Sequence, residues 1–384
     1  MKIVLTGGGS GGHFYPLIAV AQRIREIAQK EHLLDPELIY MAPNEYDRDV
    51  LFEQGITFVY APAGKQRNYR SIKNFFDKFK TAWGIFQTTI RLFFIFPDVI
   101  FSKGGYVSVP VLFAARLFGI PVIIHESDSV PGRANAWAAR FAKRIAISYP
   151  EAGEAFKKIT DTRNKKATIA LTGNPVRKEL LTPAESGARE FLDIEAGLPI
   201  IAVFGGSQGA QTINEAIIEA LPELLPLAYV IHQTGKDHFE IVKESAKTVI
   251  EGNEFKERYK PFAYLNVLAI RMIAGVADII ISRAGSNAIF EIATWGTPSL
   301  IVPIPEDVSR DQRSNAFAYA RHGGALVIEQ ANLTPHLIVS EITRLLNDPE
   351  ERKRMKEAAK AFARPDAAEK IAREVLDLAL EHEK

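Results

Sequence analysis

The chain has 384 residues, about twice the usual single-domain length, so two domains of comparable size are expected, each able to bury its own core. Hydrophobic residues make up 47% and charged residues 24%, ordinary values for a globular protein, and a formal net charge of +1 argues against general nucleic-acid affinity, so any attraction for anions must be local. The absence of cysteine excludes disulfides, thiolate metal sites and a cysteine nucleophile.

The first apolar run, Ile3 to Thr6, has only Lys2 ahead of it as a charge and passes at once into glycines, which is too short for a signal peptide. No run of about 18 uninterrupted apolar residues marks a transmembrane helix. Residues 2–6 read as a buried strand, residues 7–13 (GGGSGGH) as a glycine loop, and Pro16 to Lys30 as an amphipathic helix. Gly7-x-Gly9-x-x-Gly12 fits the dinucleotide fingerprint, so a nicotinamide-dependent dehydrogenase is one reading. Against it, the second strand, Leu38 to Met41, runs into Ala42-Pro43-Asn44 where that fingerprint needs a ribose-binding acid. Asp47-Arg48-Asp49 has the D-x-D spacing of a metal site, but its place at a helix start predicts acids that complement the dipole.

Between Lys65 and Lys80 six basic residues stand against one acid, Asp77, and are interleaved with aromatic rings; Trp83 to Phe96 follows, rich in Phe and Ile. Cations with large rings suit a helix lying in the headgroup layer of an anionic membrane, with Arg67, Arg70, Lys73, Phe76, Lys80, Trp83 and Phe86 as its contacts. The alternative is a core-facing helix with a basic outer side, above all over Leu92 to Phe96. Strands at 98–101 and 122–125 with a helix from Val109 to Phe118 between them predict a parallel sheet. Loops after such strands gather at its carboxyl edge, so His13, Tyr106 and His125-Glu126-Ser127-Asp128 are expected on one rim.

A polar stretch at 163–166 precedes a strand at 167–172 and Gly173-Asn174-Pro175, where Asn174 is expected to take unusual dihedrals; the domain boundary is set at 165/166. The second half restarts the pattern. A strand at 200–204 leads into GGSQGA at 205–210 and a helix from Thr212 that Pro222 is expected to stop; strand signals follow at 228–233, 278–281 and 299–303. After the run Asp278 to Ile281 comes S-R-A-G-S-N-A-I-F-E, a strand turning into a helix. Free N–H groups and the helix dipole there suit nucleotide phosphates, and Glu291 one turn in suits ribose hydroxyls. The plain alternative is that Gly285 only lets the chain turn. Gln312 and Asn315, entering a helix to about His322, offer the directional amides that sugar recognition needs. Helices at 348–363 and 367–380, split by Pro365, end the chain.

Taken together, GGGSGGH, SKGGYVSVP (102–110), HESDSVPG (125–132), TGNPVR (172–177), GGSQGA, SRAGSNAIFE and DQRSNA (311–316) resemble the MurG family within glycosyltransferase family 28, over nearly the whole chain. The resemblance implies an α/β GT-B fold, two Rossmann-like domains facing across a cleft. Residues 1–165 would be the acceptor-binding, membrane-associating domain, 166–365 the UDP-N-acetylglucosamine domain, and helix 366–384 would pack back on the first. It implies transfer of N-acetylglucosamine, with inversion, from UDP-N-acetylglucosamine to the 4-hydroxyl of the MurNAc of lipid I, undecaprenyl-pyrophosphoryl-MurNAc-pentapeptide. The enzyme would be peripheral on the cytoplasmic face of the bacterial membrane, with neither cofactor nor metal.

Carried over residue by residue, the resemblance puts donor-binding positions on Ser10, Gly11, Gly12, Arg177, Ser207, Gln208, Ser286, Asn287, Ala288, Glu291, Gln312 and Asn315, and acceptor-side positions on His13 and Tyr106. Asp128 is a further substrate contact, and His13 is the base, with Asp128 or Glu126 behind it; the ordinary histidine pKa of about 6.5 suits that task. Three positions depart from the family pattern: Asp128 in place of Asn, Ala288 in place of Thr, and no glycine between Asn44 and Gln54. Another GT-B glycolipid or natural-product transferase is the alternative.

Overall fold

Each apolar run read as a strand is a strand in the computed structural model, which describes residues 1–64, 73–206, 210–309 and 311–383, without the side chains of 73–80, 382 and 383. Strands buried on both faces must be apolar along their whole length, and Ile3–Leu5, Val99–Phe101, Ile200–Val203 and Ile279–Ile281 have no exposed surface at all. Among the described residues they form two parallel sheets in two compact units, Met1–Arg177 with Arg364–Lys384, and Lys178–Ala363.

The first sheet holds β1 (Lys2–Thr6), β2 (Glu37–Ala42), β3 (Thr57–Tyr60), β4 (Val99–Ser102), β5 (Val122–Glu126), β6 (Arg144–Ile147) and β7 (Thr168–Leu171), in the order β3-β2-β1-β4-β5-β6-β7. Pairing of β6 with β7, Arg144 opposite Thr168, makes β7 the far edge of this sheet. The first unit therefore runs to Arg177, past the boundary at 165/166 that the sequence reading set. The second sheet, β8 (Ile200–Phe204), β9 (Tyr229–Gln233), β10 (Tyr259–Phe262), β11 (Ile279–Arg283), β12 (Ser299–Val302) and β13 (Ala325–Val327), has the order β10-β9-β8-β11-β12-β13. Chain order reverses between β1 and β4 and again between β8 and β11. At such a switch point the loops on either side diverge and leave a crevice at the carboxyl ends of the strands.

Two helices run through prolines. The first, Gly11–Lys30, starts five residues ahead of Pro16, and the second, Gln211–Leu224, continues past Pro222, which was expected to stop it. A proline near a helix end forfeits few hydrogen bonds, and buried Leu221 and Leu224 hold the last turn of the second against its sheet. The final helix, Ala367–Glu383, belongs to the first unit. Its Ile371, Ala372, Val375, Leu376 and Ala379 share a core with Leu17, Ile24 and Ile27, and Arg373 reaches Glu31 at 2.8 Å.

The helix Lys73–Ile95 explains its own composition. Gly84, Thr88 and Leu92, four residues apart, are buried, while Trp83, Phe86, Ile90, Phe93 and Phe94 point outward at 44–78% exposure. The core-facing reading of Leu92 to Phe96 thus holds for Leu92 and fails for Phe93, Phe94 and Phe96. A Cβ at Gly84 would lie 1.8 Å from the Pro62 carbonyl oxygen. Gly84→Ala is therefore expected to lower stability by about 1–3 kcal/mol, against the usual gain of alanine within a helix, and urea unfolding measures it.

Candidate functional site

In the first unit the loops after β1, β4, β5 and β7 converge on the switch point. Gly7 and Gly9 have φ of +142° and +87°, which turn the chain sharply out of β1 into the helix Gly11–Lys30. Tyr40 donates from its hydroxyl to the Gly7 carbonyl at 2.9 Å, and the Tyr106 ring stands where a Cβ on Gly9 would come within 3.3 Å. Ser10, at the N-cap, and Gly12 are exposed, Gly11 is half-buried, and the first helical turn carries no acid of its own. The positive dipole end of this helix suits an anion from outside it.

His13 is half-buried with its Nδ1 at 3.2 Å from Ser10 Oγ. Burial, with the nearby charge of Lys103, pushes its pKa down to about 4, so the ordinary value expected from the sequence does not hold. The imidazole is neutral at pH 7 and a weaker base than a free histidine. Glu126, 4% exposed, has both carboxyl oxygens engaged: they accept from Asp128 N (3.2 Å), Gly132 N (2.8 Å) and Asn135 Nδ2 (3.0 Å). Its pKa is raised by burial and then by Asp128, but its work in this structure is to shape the loop that follows β5. Asp128, half-buried, stays on the rim. Arg177 ends the first of the unit's two stretches of chain, its guanidinium stacked 4.4 Å over the Tyr15 ring.

Sequence reasoning missed the centre of this rim. Lys103, 1% exposed, lies beneath the glycine loop, and its Nζ donates to His125 Nδ1 (2.6 Å), Asn174 Oδ1 (2.7 Å) and Ser127 Oγ. The Lys103 bond to Nδ1 puts the imidazole proton of His125 on Nε2, which donates to the Gly173 carbonyl at 2.9 Å. Burial lowers the Lys103 pKa to about 7, opposed by Glu126 and Asp128. Three acceptors match the three donors of an ammonium, so we assign the charged form. Asn174 thus serves through its amide, and Gly173, at φ +83°, takes the unusual dihedral expected of Asn174. The available signal was a lysine between a buried strand and a glycine pair, a place where solvent is out of reach.

In the second unit β11 ends at Arg283, whose Nη1 donates to the Val302 carbonyl at 3.3 Å, and the helix Ser286–Trp295 begins after the N-cap Gly285. Gly285 has φ −65° and ψ 135°, open to any residue, and a Cβ there would meet nothing within 4 Å. The turn therefore does not need a glycine. What its missing side chain leaves is free space over the first N–H groups of a helix with no acid in its first turn. Ser286 is buried at that end, while Asn287, Ala288 and, one turn on, Glu291 are half-exposed. Gln312 accepts at Oε1 from Ile304 N (3.3 Å), and Asn315 is fully buried in the helix Gln312–Arg321.

Ser207, Gln208, Arg67 and Arg70 lie outside the described residues, as do the side chains of Lys73, Phe76 and Lys80. Asp47 caps the helix Arg48–Glu53, accepting from Val50 N at 3.2 Å. Among the described residues no group of three or more His, Asp and Glu side chains is placed to hold a metal ion.

The models of the glycosyltransferase family 28 N-terminal and C-terminal domains match residues 3–147 and 200–371. Two relatives, from Clostridium kluyveri and Treponema pallidum, are each 35% identical and are named UDP-N-acetylglucosamine–N-acetylmuramyl-(pentapeptide) pyrophosphoryl-undecaprenol N-acetylglucosamine transferase. The first match covers 90% of this chain and 91% of that protein, the second 90% and 87%. The crystal structure of Acinetobacter baumannii MurG superposes with a TM-score of 0.72 at 24% identity, over 98% of this chain and 99% of that one, which makes the fold GT-B. With two switch-point rims, two matched domains and relatives aligned over nine-tenths of its length, the chain belongs to glycosyltransferase family 28, among the MurG-type N-acetylglucosamine transferases.

Proposed function

We propose that the chain transfers N-acetylglucosamine from UDP-N-acetylglucosamine to the 4-hydroxyl of the MurNAc of lipid I, with inversion, giving lipid II. The observation that carries this reading is the helix start at Ser286, open above Gly285 and without its own acid, in a chain 35% identical to transferases of that name. The second unit holds the donor: the N–H groups at Ser286, Asn287 and Ala288 bind the diphosphate, Glu291 the ribose hydroxyls, and Gln312 the sugar, with Asn315 behind it. Ser207 and Gln208 in the second glycine loop and Arg177 complete the donor contacts.

The first unit serves the acceptor. His13 takes the proton of the attacking hydroxyl at Nε2 in the tautomer whose Nδ1–H donates to Ser10 Oγ, 3.2 Å away. The acceptor oxygen bonds to the anomeric carbon as the bond to the β-phosphate oxygen breaks, and UDP departs with the electron pair. Helix-terminal amides, including those at Gly11 and Gly12, stabilise its charge. Tyr106 and Asp128 orient the acceptor sugar. Release of UDP from UDP-N-acetylglucosamine, measured with a lipid I analogue, with diacylglycerol and with neither, tests the reading. Release driven only by the lipid I analogue is expected, and release driven by diacylglycerol alone would replace the acceptor.

The membrane face is the outward stripe of the helix Lys73–Ile95, where the Trp83 and Phe86 rings lie 5.5 Å apart, with Phe113 and Leu117 of the neighbouring helix also exposed. Rings of this size enter the acyl boundary while flanking cations meet anionic headgroups, which supports a peripheral place on the cytoplasmic face. No helix among the described residues is long and apolar enough to cross a bilayer. Burying one such ring stabilises by about 1.5–3 kcal/mol, so Phe86→Glu is expected to weaken sedimentation with phosphatidylglycerol vesicles at least about tenfold. Unchanged sedimentation of this variant would move the membrane face elsewhere.

A further inference from the structure

We propose that Lys103 is the positioning residue of the first unit's rim: its buried ammonium ties together the loops after β4, β5 and β7 and so fixes the seat of His13. This rests on the reading of His13 as the proton acceptor. The three acceptors come from two separate segments, His125 and Ser127 at the end of β5 and Asn174 after β7, while the lysine itself follows β4. The Lys103 backbone N–H also donates to the Thr6 carbonyl at 2.9 Å, and a Cβ at Gly7 would come within 2.7 Å of Lys103 Cβ, so the first glycine loop rests on the lysine stem. Two residues on, a Cβ at Gly105 would approach His13 Nε2 at 3.5 Å. One side chain thus touches, directly or through its own short segment, each loop of the rim.

Filling volume does not account for it. A methionine occupies similar space without an ammonium to desolvate, and apolar replacement of buried charges is often neutral or stabilising. What methionine cannot do is hold three acceptors, from the end of β5 and the loop after β7, in one geometry. The charge also acts on His125 and Glu126 on β5, Asp128 in the next loop and His13 on the first helix, while Tyr40 and Tyr106 pack against the glycine loop. Its repulsion of a second positive charge is one reason the His13 imidazole stays neutral.

The test compares wild type with Lys103→Met in two readouts. Imidazole nitrogen NMR, with the His13 signal identified by its loss in His13→Ala, gives the His13 titration midpoint, expected to rise by about one pH unit once the neighbouring charge is gone. Steady-state kinetics are expected to show kcat reduced by about 10- to 100-fold with the KM for UDP-N-acetylglucosamine within about threefold, since most of the proposed donor contacts belong to the second unit. A lower melting temperature with an unchanged midpoint and unchanged kcat would make Lys103 a packing residue and overturn the proposal.

Should Lys103→Met fail to fold, Ser127→Ala removes one acceptor and keeps the lysine; a kcat lowered by about 3- to 10-fold supports the role, and an unaltered kcat overturns it. Rescue is available because the chain has no cysteine. Lys103→Cys, alkylated with 2-bromoethylamine in denaturant and refolded, regains an ammonium at the same reach and should recover most of the lost kcat. Wild-type protein that releases no UDP with a lipid I analogue would defeat the functional reading, while the His13 midpoint would still decide whether Lys103 acts on His13.

Discussion

His13→Ala is expected to lower kcat by about 10²- to 10⁴-fold, the usual contribution of a positioned proton acceptor, while the KM for UDP-N-acetylglucosamine changes by less than about threefold. The separation follows from which contacts the side chain makes: His13 belongs to the rim of the first unit, the main phosphate and ribose contacts are proposed on the helix Ser286–Trp295 of the second, and those proposed at Gly11 and Gly12 come from backbone amides that His13→Ala keeps. The pH profile carries the finer expectation. A lowered pKa means that the neutral, proton-accepting form persists to lower pH, so the acid limb of kcat/KM should fall near 4 and not near 6.5. The same depression reduces basicity, which places the expected loss below what a base matched to neutral pH would give.

Asp128 provides the control. It lies on the same rim and is half-exposed, and its negative charge favours the charged form of Lys103. If Asp128 were the acceptor, Asp128→Ala would abolish turnover and His13→Ala would leave it near the wild-type rate. If His13 accepts the proton, Asp128→Ala leaves measurable turnover and shifts the acceptor KM. Near-wild-type kcat in His13→Ala would remove it as an essential base.

How much of this was legible beforehand depends on the range of the interactions. Parallel strands buried on both faces must be apolar throughout, so β1, β4, β5, β8, β11 and β12 stand out as runs such as Ile279-Ile280-Ile281. The first glycine loop is equally visible because Gly7 and Gly9 hold backbone angles that tolerate little else. Other elements were not: β3 (TFVY) is half-exposed, β6 (RIAI) opens on a charged residue, and the helix Pro335–Asn347 has no glycine loop to announce it. Pro222 misled because local stiffness was weighed without the buried leucines that hold the turn.

The site divides the same way. Ser286 and Glu291 could be placed because the turn, the helix and the acid are contiguous. Lys103, His125, Ser127 and Asn174 meet across 22 to 71 residues, and only the sheet order brings them together. The depressed pKa of His13 was hidden for the same reason, since the nearby charge comes from position 103 and burial comes from the whole rim.

Glu291→Ala is expected to weaken UDP-N-acetylglucosamine about 100-fold. Glu291 lies five residues beyond Ser286, about 7.5 Å along the helix axis at 1.5 Å per residue. A carboxylate at that distance repels each phosphate charge by only about 0.5 kcal/mol in water, about 1 kcal/mol for the two, whereas each hydrogen bond from a hydroxyl to an ionised acceptor is worth about 1.5–3 kcal/mol. Attraction to the ribose therefore outweighs repulsion of the phosphates, and removing the side chain must cost affinity. Were Glu291 to face the phosphates instead, the same substitution would tighten binding, so the sign of the effect discriminates the two placements.

A thermodynamic cycle sharpens this. The 2′-deoxy donor should lose affinity against wild type and lose nothing further against Glu291→Ala, because the partner of the missing hydroxyl is already gone. Thermal shifts read the same quantity without turnover: a ligand at 100 times its Kd adds about 2.7 kcal/mol, and a hundredfold weaker variant at the same concentration gains about 0.4 kcal/mol. Equal shifts for wild type and Glu291→Ala with UDP would take the ribose away from Glu291, and with it the orientation of the donor along this helix.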